Sequence, residues 1–294
     1  MTTSVLDPAA ILRHLGITDV TAIAPVHGGE DTAIWRVEHG GATHALRVFR
    51  AEQARAFQRE VAALAAAAAA GLPVPTVDAT AEWHARPVML LAWCAGQPLL
   101  AVLRERPWQV VRLGRLFGRM HARVDQVAAP PLLAQQPTAW IAWAGSDEQA
   151  LQHRLATLAS GAPALLHLDF HPLNVMTDGR QITGVLDWTN SLAGDPRADV
   201  ARTHTILTLS PIAAEQRSTP LLMFRRLLAR AWQRGYEDVA GPLNDMAPFY
   251  AWAGAVMLRD LAPRAARADH WIQPNDLEPA RAWTARWKRR AGLS

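Results

Sequence analysis

The chain has 294 residues, of which 50% are hydrophobic and 19% charged, and its formal net charge is +4. That length suits one large domain or two unequal lobes, and no apolar run approaches the roughly 18 to 20 residues needed to cross a bilayer. Basic residues are scattered, which argues against a nucleic-acid partner, and the single cysteine, Cys94, has no partner for an internal disulfide, so a reducing cytoplasm is expected.

The opening run MTTSVLDPAAILRHLG lacks the basic start and continuous apolar core of a secretory signal. It predicts a helix capped by Asp7, with Pro8 in the first turn and Gly16 as the stop. Apolar segments around Ile34 to Val37 and Ala45 to Phe49, divided by His39-Gly40-Gly41, predict a hairpin. AEQARAFQREVAALAAAAAAGLPVP then predicts about twenty residues of helix ending at Gly71, with Pro73 and Pro75 beyond. PVMLLAWCAG, Pro87 to Gly96, reads as the last strand of this part. Beyond it the pattern is mainly helical: Leu99 to Arg106, then a helix opened by Pro107, then one starting at Ser146, where SDEQ has the capping-box spacing. A short island of strands follows, and helices resume from Pro196. The reading is α+β: a small antiparallel-sheet N-lobe with one long helix (residues 1–95), joined near residues 92–98 to a larger, mainly helical C-lobe (residues 96–294). Lys288 is the sole lysine, so roles usually filled by lysine must fall to arginine.

The island carries the chemistry. HLDFHPLNVM, His167 to Met176, is followed by VLDWTNSLAGDP, Val185 to Pro196. Asp178-Gly179 is a strong turn signal between two strand-like runs, and closing that hairpin brings Asn174 and Asp187 to the same end. An amide oxygen and a carboxylate converging there suit a hard cation such as Mg²⁺, with room for waters and phosphate oxygens. Asp169, on the loop entering the hairpin, is placed to meet a substrate hydroxyl instead.

His-x-Asp-x4-Asn, with a second Asp thirteen residues on, is the spacing of protein-kinase catalytic machinery. Joined to LDWxxxxxGDPxxD, it resembles the aminoglycoside phosphotransferase and choline kinase family, small-molecule kinases with a protein-kinase-like two-lobe fold. The resemblance extends to AIWRV, ALRVFR, FQREVAALAAAAAAGLPVP, MLLAWCAGQPL and GRMHA. It implies Asp169 as catalytic base and Asn174 and Asp187 as Mg²⁺ ligands. It also implies Arg47 as the phosphate-gripping cation in place of lysine, Glu60 as its ion-pair partner, and Gly28-Gly29 in the loop covering the nucleotide. The backbone of Leu91 to Trp93 would meet the base of ATP or GTP. A nucleotide, Mg²⁺ and a hydroxylated small molecule are the implied partners, for a monomer or homodimer that needs neither nucleic acid nor membrane.

Other residues have plainer readings. His167 is expected to brace the loop backbone, and Asp195 and Asp199 to cap or brace around a helix start. His171 can belong to an HxDxH metal site, which would leave Asn174 and Asp187-Trp188 unexplained. Trp283 and Trp287, four apart, with Trp271 upstream, are expected to pack as core, the alternative being an aromatic cage for a quaternary ammonium. From Arg202 onward 14 Arg and Lys face 8 Asp and Glu, which disfavours a polycationic acceptor. The rival function is a catalytically silent kinase-fold binding protein, suggested by the sparse glycine loop and by Arg47.

Overall fold

The computed structural model describes residues 6–26, 32–158, 161–213, 216–267 and 269–293. Helix α1 (Pro8–His14) begins where predicted, because the Asp7 carboxylate accepts from the amides of Ala9 and Ala10, and it stops at Gly16, whose φ is +80°. Strands β1 (Val20–Pro25), β2 (Ala33–His39) and β3 (Ala42–Val48) come next. Gly40 and Gly41, at φ +58° and +74°, turn β2 into β3, a conformation that glycine adopts without steric cost. A 3₁₀ turn at Ala51–Gln53 precedes helix α2 (Ala54–Ala69), so the single helix expected here has a tightened first turn. Strands β4 (Val77–Trp83) and β5 (Arg86–Ala92) complete an antiparallel sheet in the order β1-β2-β3-β5-β4. β5 is apolar on both faces. Val88 and Leu90 join the cluster under α1 with Ile11 and Leu12, while Met89 and Leu91 join the main core with Ala63 and Leu64 of α2.

The chain crosses at β6 (Gln97–Pro98) into a helical region: α3 (Leu99–Glu105), α4 (Val110–Val124), α5 (Pro131–Ala134) and α6 (Gln149–Leu158). The helix expected at Ser146 begins at Gln149. Gly145, at φ +107°, turns the chain sharply, and its carbonyl accepts from the Glu148 amide and the Gln152 side chain, so residues 146–148 form a turn in place of a capping box. Strands β7 (Ala164–Leu166), β8 (Val175–Thr177), β9 (Ile182–Val185) and β10 (Leu192–Gly194) form the island. Helices α7 (Pro196–Leu209), α8 (Thr219–Ala240), α9 (Met246–Ala265) and α10 (Glu278–Arg290) follow. No described helix is long and apolar enough to cross a membrane.

Helices α4 and α8 touch at backbone distance. A Cβ on Gly118 would lie 1.9 Å from the Trp232 carbonyl oxygen, and one on Gly235 would lie 2.2 Å from that of Arg115. Because neither backbone can give way locally, Gly118→Ala is expected to destabilise the fold by at least about 1–3 kcal/mol. A thermal melt within a degree of wild type would show that the pair separates freely.

Candidate active site

The β8–β9 hairpin sets the site. Val175 pairs with Val185, and the ladder continues one step further as the Leu186 amide donates to the Asn174 carbonyl at 2.8 Å. Asp187 therefore emerges at the same end as Asn174. At the other end Asp178 Oδ1 accepts from the amides of Arg180 and Gln181 at 2.7 and 2.8 Å, closing the predicted turn. The crossing segment is bound to this hairpin, since β6 pairs with β8 and Thr183 Oγ1 donates to the Ala95 carbonyl at 2.5 Å.

The loop from His167 to Asn174 is held from behind. His167 donates its amide to Asp199 Oδ2 at 2.5 Å, and Leu168 donates to Asp199 Oδ1 at 2.9 Å. Leu168 has φ +60°, a left-handed conformation that costs a branched-chain residue about 1–3 kcal/mol unless its surroundings impose it. His167 Nε2 lies 3.0 Å from the Leu186 carbonyl, which only accepts, so Nε2 carries the proton and Nδ1 accepts from the Asp169 amide at 3.3 Å. Burial lowers the His167 pKa, keeping the ring neutral. It braces the loop, as expected, and Asp195 caps α7.

Asp169 is partly open, its side chain 26% exposed, with His171 Nε2 3.5 Å from Oδ1 and Asn174 Nδ2 3.4 Å from Oδ2. Asn174 Nδ2 also donates to the Asp169 carbonyl at 3.1 Å, so its amide oxygen is the atom left for a cation. Among the described residues, His171 joins no group of three or more converging His, Cys, Asp or Glu ligands, and the HxDxH metal reading has no further support.

Across from this loop, β3 presents Arg47 and α2 presents Glu60. Arg47 Nη1 donates to Glu60 Oε1 at 2.6 Å, and Nη2 reaches Asp187 Oδ1 at 3.0 Å and Thr189 Oγ1 at 2.9 Å. Nε donates to Thr32 Oγ1 at 3.0 Å, and the guanidinium carbon lies 4.9 Å from the Phe49 ring centre. Burial works against the Arg47 charge, but Glu60 and Asp187 outweigh it and raise its pKa. Glu60 is pushed up, burial prevailing over the attraction of Arg47. Burial also opposes ionisation of Asp187, yet Arg47 and Thr189 hold its carboxyl below the usual range. The Thr189 hydroxyl lies 2.9 Å from Glu60 Oε2 and 2.8 Å from Asp187 Oδ1, its single proton serving one of them at a time. Neither Thr32 nor Thr189 stands out in the sequence; the one cue is the position of Thr189 two residues after Asp187.

Two nucleotide-side expectations take a more limited form. The amides of Ala92 and Trp93 donate to the carbonyls of Thr76 and Thr43, so these two N–H groups are already paired within the protein. Gly28 and Gly29 lie outside the described residues. Cys94, in the crossing, packs against Gly184, and burial pushes its thiol up to about 11. Trp283 and Trp287 pack with each other and with Tyr250. Their faces are taken by the chain's own Arg286 and Arg290, at 4.7 to 5.4 Å, while Trp271 stacks apart from them on His270. The packing reading holds for Trp283 and Trp287, which are half-buried, and fails for Trp271, which is exposed; no cage is assembled from these three residues.

The site thus offers an ionised carboxylate beside a fixed guanidinium, an amide oxygen next to it, and a partly exposed second acid. A comparison with curated proteins returns no match. The fold is shared with aminoglycoside phosphotransferase APH(4)-Ia, at TM-score 0.65 and 17% identity over 97% of this chain and 98% of that one. It is shared too with spectinomycin phosphotransferase APH(9)-Ia, solved with ADP and spectinomycin, at TM-score 0.57 and 11% identity over 96% and 92%. APH(3'')-Id from Streptomyces rimosus aligns at TM-score 0.54 and 17% identity over 86% and 99%. The model of the APH phosphotransferase enzyme family matches residues 22–241, a span that holds Arg47, Glu60, the Asp169 loop and the Asp187 hairpin. The chain belongs to that phosphotransferase family and has its protein-kinase-like fold.

Proposed function

We propose that this chain transfers the γ-phosphate of ATP or GTP to a hydroxyl of a small molecule, with Mg²⁺ as cofactor. The observation that carries the reading is the ion network in which Arg47 and Glu60 from residues 1–95 meet Asp187 from residues 96–294, beside Asp169 and Asn174. Phosphoryl transfer asks little covalent work of a protein, and positioning and charge do most of it. Arg47, kept cationic, would grip phosphate oxygens, and Glu60 would hold it in place.

The donors fit Mg²⁺. Asp187 Oδ1 takes both Arg47 and Thr189, leaving Oδ2 on a side chain that is 44% exposed, and the Asn174 amide oxygen is the second hard ligand. When bound, the ion would neutralise charge on the phosphates. Asp169 would orient the acceptor hydroxyl and accept its proton late in the transfer. Asp187→Ala is expected to abolish Mg²⁺-dependent nucleotide binding, and titration calorimetry giving an unchanged affinity would refute the ligand assignment.

The hygromycin B complex of a thermostable APH(4)-Ia mutant and the spectinomycin complex of APH(9)-Ia keep antibiotics among the acceptors to be tested. The charge pattern supports a neutral or anionic acceptor. Asp238, Asp260, Asp269, Asp276 and Glu278 are all ion-paired with arginines of this chain, which reduces the carboxylates available to a polycation. A phosphorylation screen of hydroxylated metabolites and antibiotics, with ATP and GTP in parallel, tests the proposal. Absence of any metal-dependent nucleotide turnover would leave the silent binding protein as the better account.

A further inference from the structure

Behind the Asp169 loop, α4 carries His121 and the residue that caps its end, Asp125, lies one turn on; α7 carries Asp199, and α8 carries Trp232 and Tyr236. All five are at most 5% exposed. His121 Nε2 is 3.5 Å from Asp199 Oδ1 and 3.8 Å from Asp125 Oδ2. Tyr236 donates its hydroxyl to Asp125 Oδ2 at 2.8 Å, and Trp232 Nε1 donates to His121 Nδ1 at 3.3 Å.

Converging ligand atoms within 4.8 Å of one another suggest a metal, but the hydrogen-bond donors argue against one. An indole N–H only donates, so His121 Nδ1 presents its lone pair, and the one proton of a neutral ring sits on Nε2, facing the acids. A metal on Nε2 would need that nitrogen bare and Nδ1–H directed at an acceptor, and Trp232 is not one. The same contact excludes an imidazolium. The ring is therefore neutral, and the two buried carboxylates, which face only neutral donors (His121, the Tyr236 hydroxyl and the amides of His167 and Leu168), cannot both be charged.

Asp199 has the better claim to the charge, since it also accepts the amides of His167 and Leu168. Its carboxyl lies below the usual range in spite of burial, and the amide hydrogen bonds from His167 and Leu168 favour the charge. Asp125 has an unpartnered Oδ1, and burial, then the charges of Asp199 and Asp195, push its carboxyl well above the usual range.

We infer that Asp125 carries a proton and is a positioning residue: its neutral carboxyl, hydrogen-bonded by Tyr236 and facing His121, completes the surroundings of Asp199 and keeps the Asp169 loop in register. The positioning role rests on the phosphotransferase reading above; the proton does not.

Asp125→Asn preserves a neutral polar group, whereas Asp125→Ala removes it, so the pair is compared by thermal melts at pH 6 and 8.5 and by steady-state kinetics. A group with a raised folded pKa stabilises fully below its unfolded value and loses that contribution as pH rises through the folded one. Asp125→Asn should therefore melt within about 2 °C of wild type at pH 6 and gain on it at pH 8.5. Asp125→Ala should lower kcat by about 10- to 100-fold with nucleotide KM unchanged, and Asp125→Asn should restore kcat to within about threefold of wild type. An Asn variant as destabilised as the Ala variant at both pH values would show that Asp125 is ionised and would overturn the inference. A wild-type chain without turnover would overturn the kinase reading and the positioning role with it, while the melts still decide the proton.

Discussion

Asp169→Asn is expected to lower phosphoryl transfer by about 10²- to 10⁴-fold while leaving nucleotide affinity close to wild type. The substitution keeps the shape of the side chain and removes its ability to take a proton from the acceptor hydroxyl. Asn174 still has the backbone carbonyl of residue 169 to bind, at 3.1 Å, so the hairpin end that presents Asp187 is not released. Arg47, Glu60 and Asp187 form their network without any contact to Asp169, which is why binding and turnover should separate in this variant. Calorimetry with nucleotide and Mg²⁺, set beside acceptor phosphorylation, checks both halves. A variant that phosphorylates at the wild-type rate would mean the base lies elsewhere.

Asp199→Ala should have the largest effect on stability. The substitution leaves the amides of His167 and Leu168 without their acceptor in a fully buried position, each costing about 1–3 kcal/mol, and it removes the support for the left-handed backbone of Leu168. A loss of about 3–5 kcal/mol, typical when a buried charged partner is deleted, is the expected result. The pH dependence has a definite sign. Because the folded pKa of Asp199 is depressed, its contribution is present above the ordinary carboxylate value near 4 and fades as pH falls through the folded value. The gap between wild type and variant should therefore be flat at neutral pH and narrow in strong acid. Denaturant melts at pH 7 that superimpose would contradict the brace.

Local sequence determined a good deal of this protein. Asp7 and Gly16 delimit α1, the Gly40-Gly41 turn joins β2 to β3, and Asp178-Gly179 closes β8 onto β9 within a few residues of chain. Since that hairpin register alone brings Asn174 beside Asp187, the candidate ligands are legible in the order and spacing of the residues themselves. Each of these features depends on turn chemistry or on the spacing of side chains along one short segment, which a sequence displays directly.

Only the tertiary structure decided the rest. Thr189 reaches Glu60 across 129 positions, Tyr236 and Trp232 reach Asp125 and His121 across 111, and Arg286 and Arg290 cover the tryptophan faces that a cage would need. Helix α6 starts at Gln149 and not at Ser146 because Gly145 turns the chain and its carbonyl accepts nearby donors. The partner of a buried acid, and the proton it carries, follow from which helices pack together and how completely they exclude water. Neither is recorded in the periodicity of the helix that bears the acid.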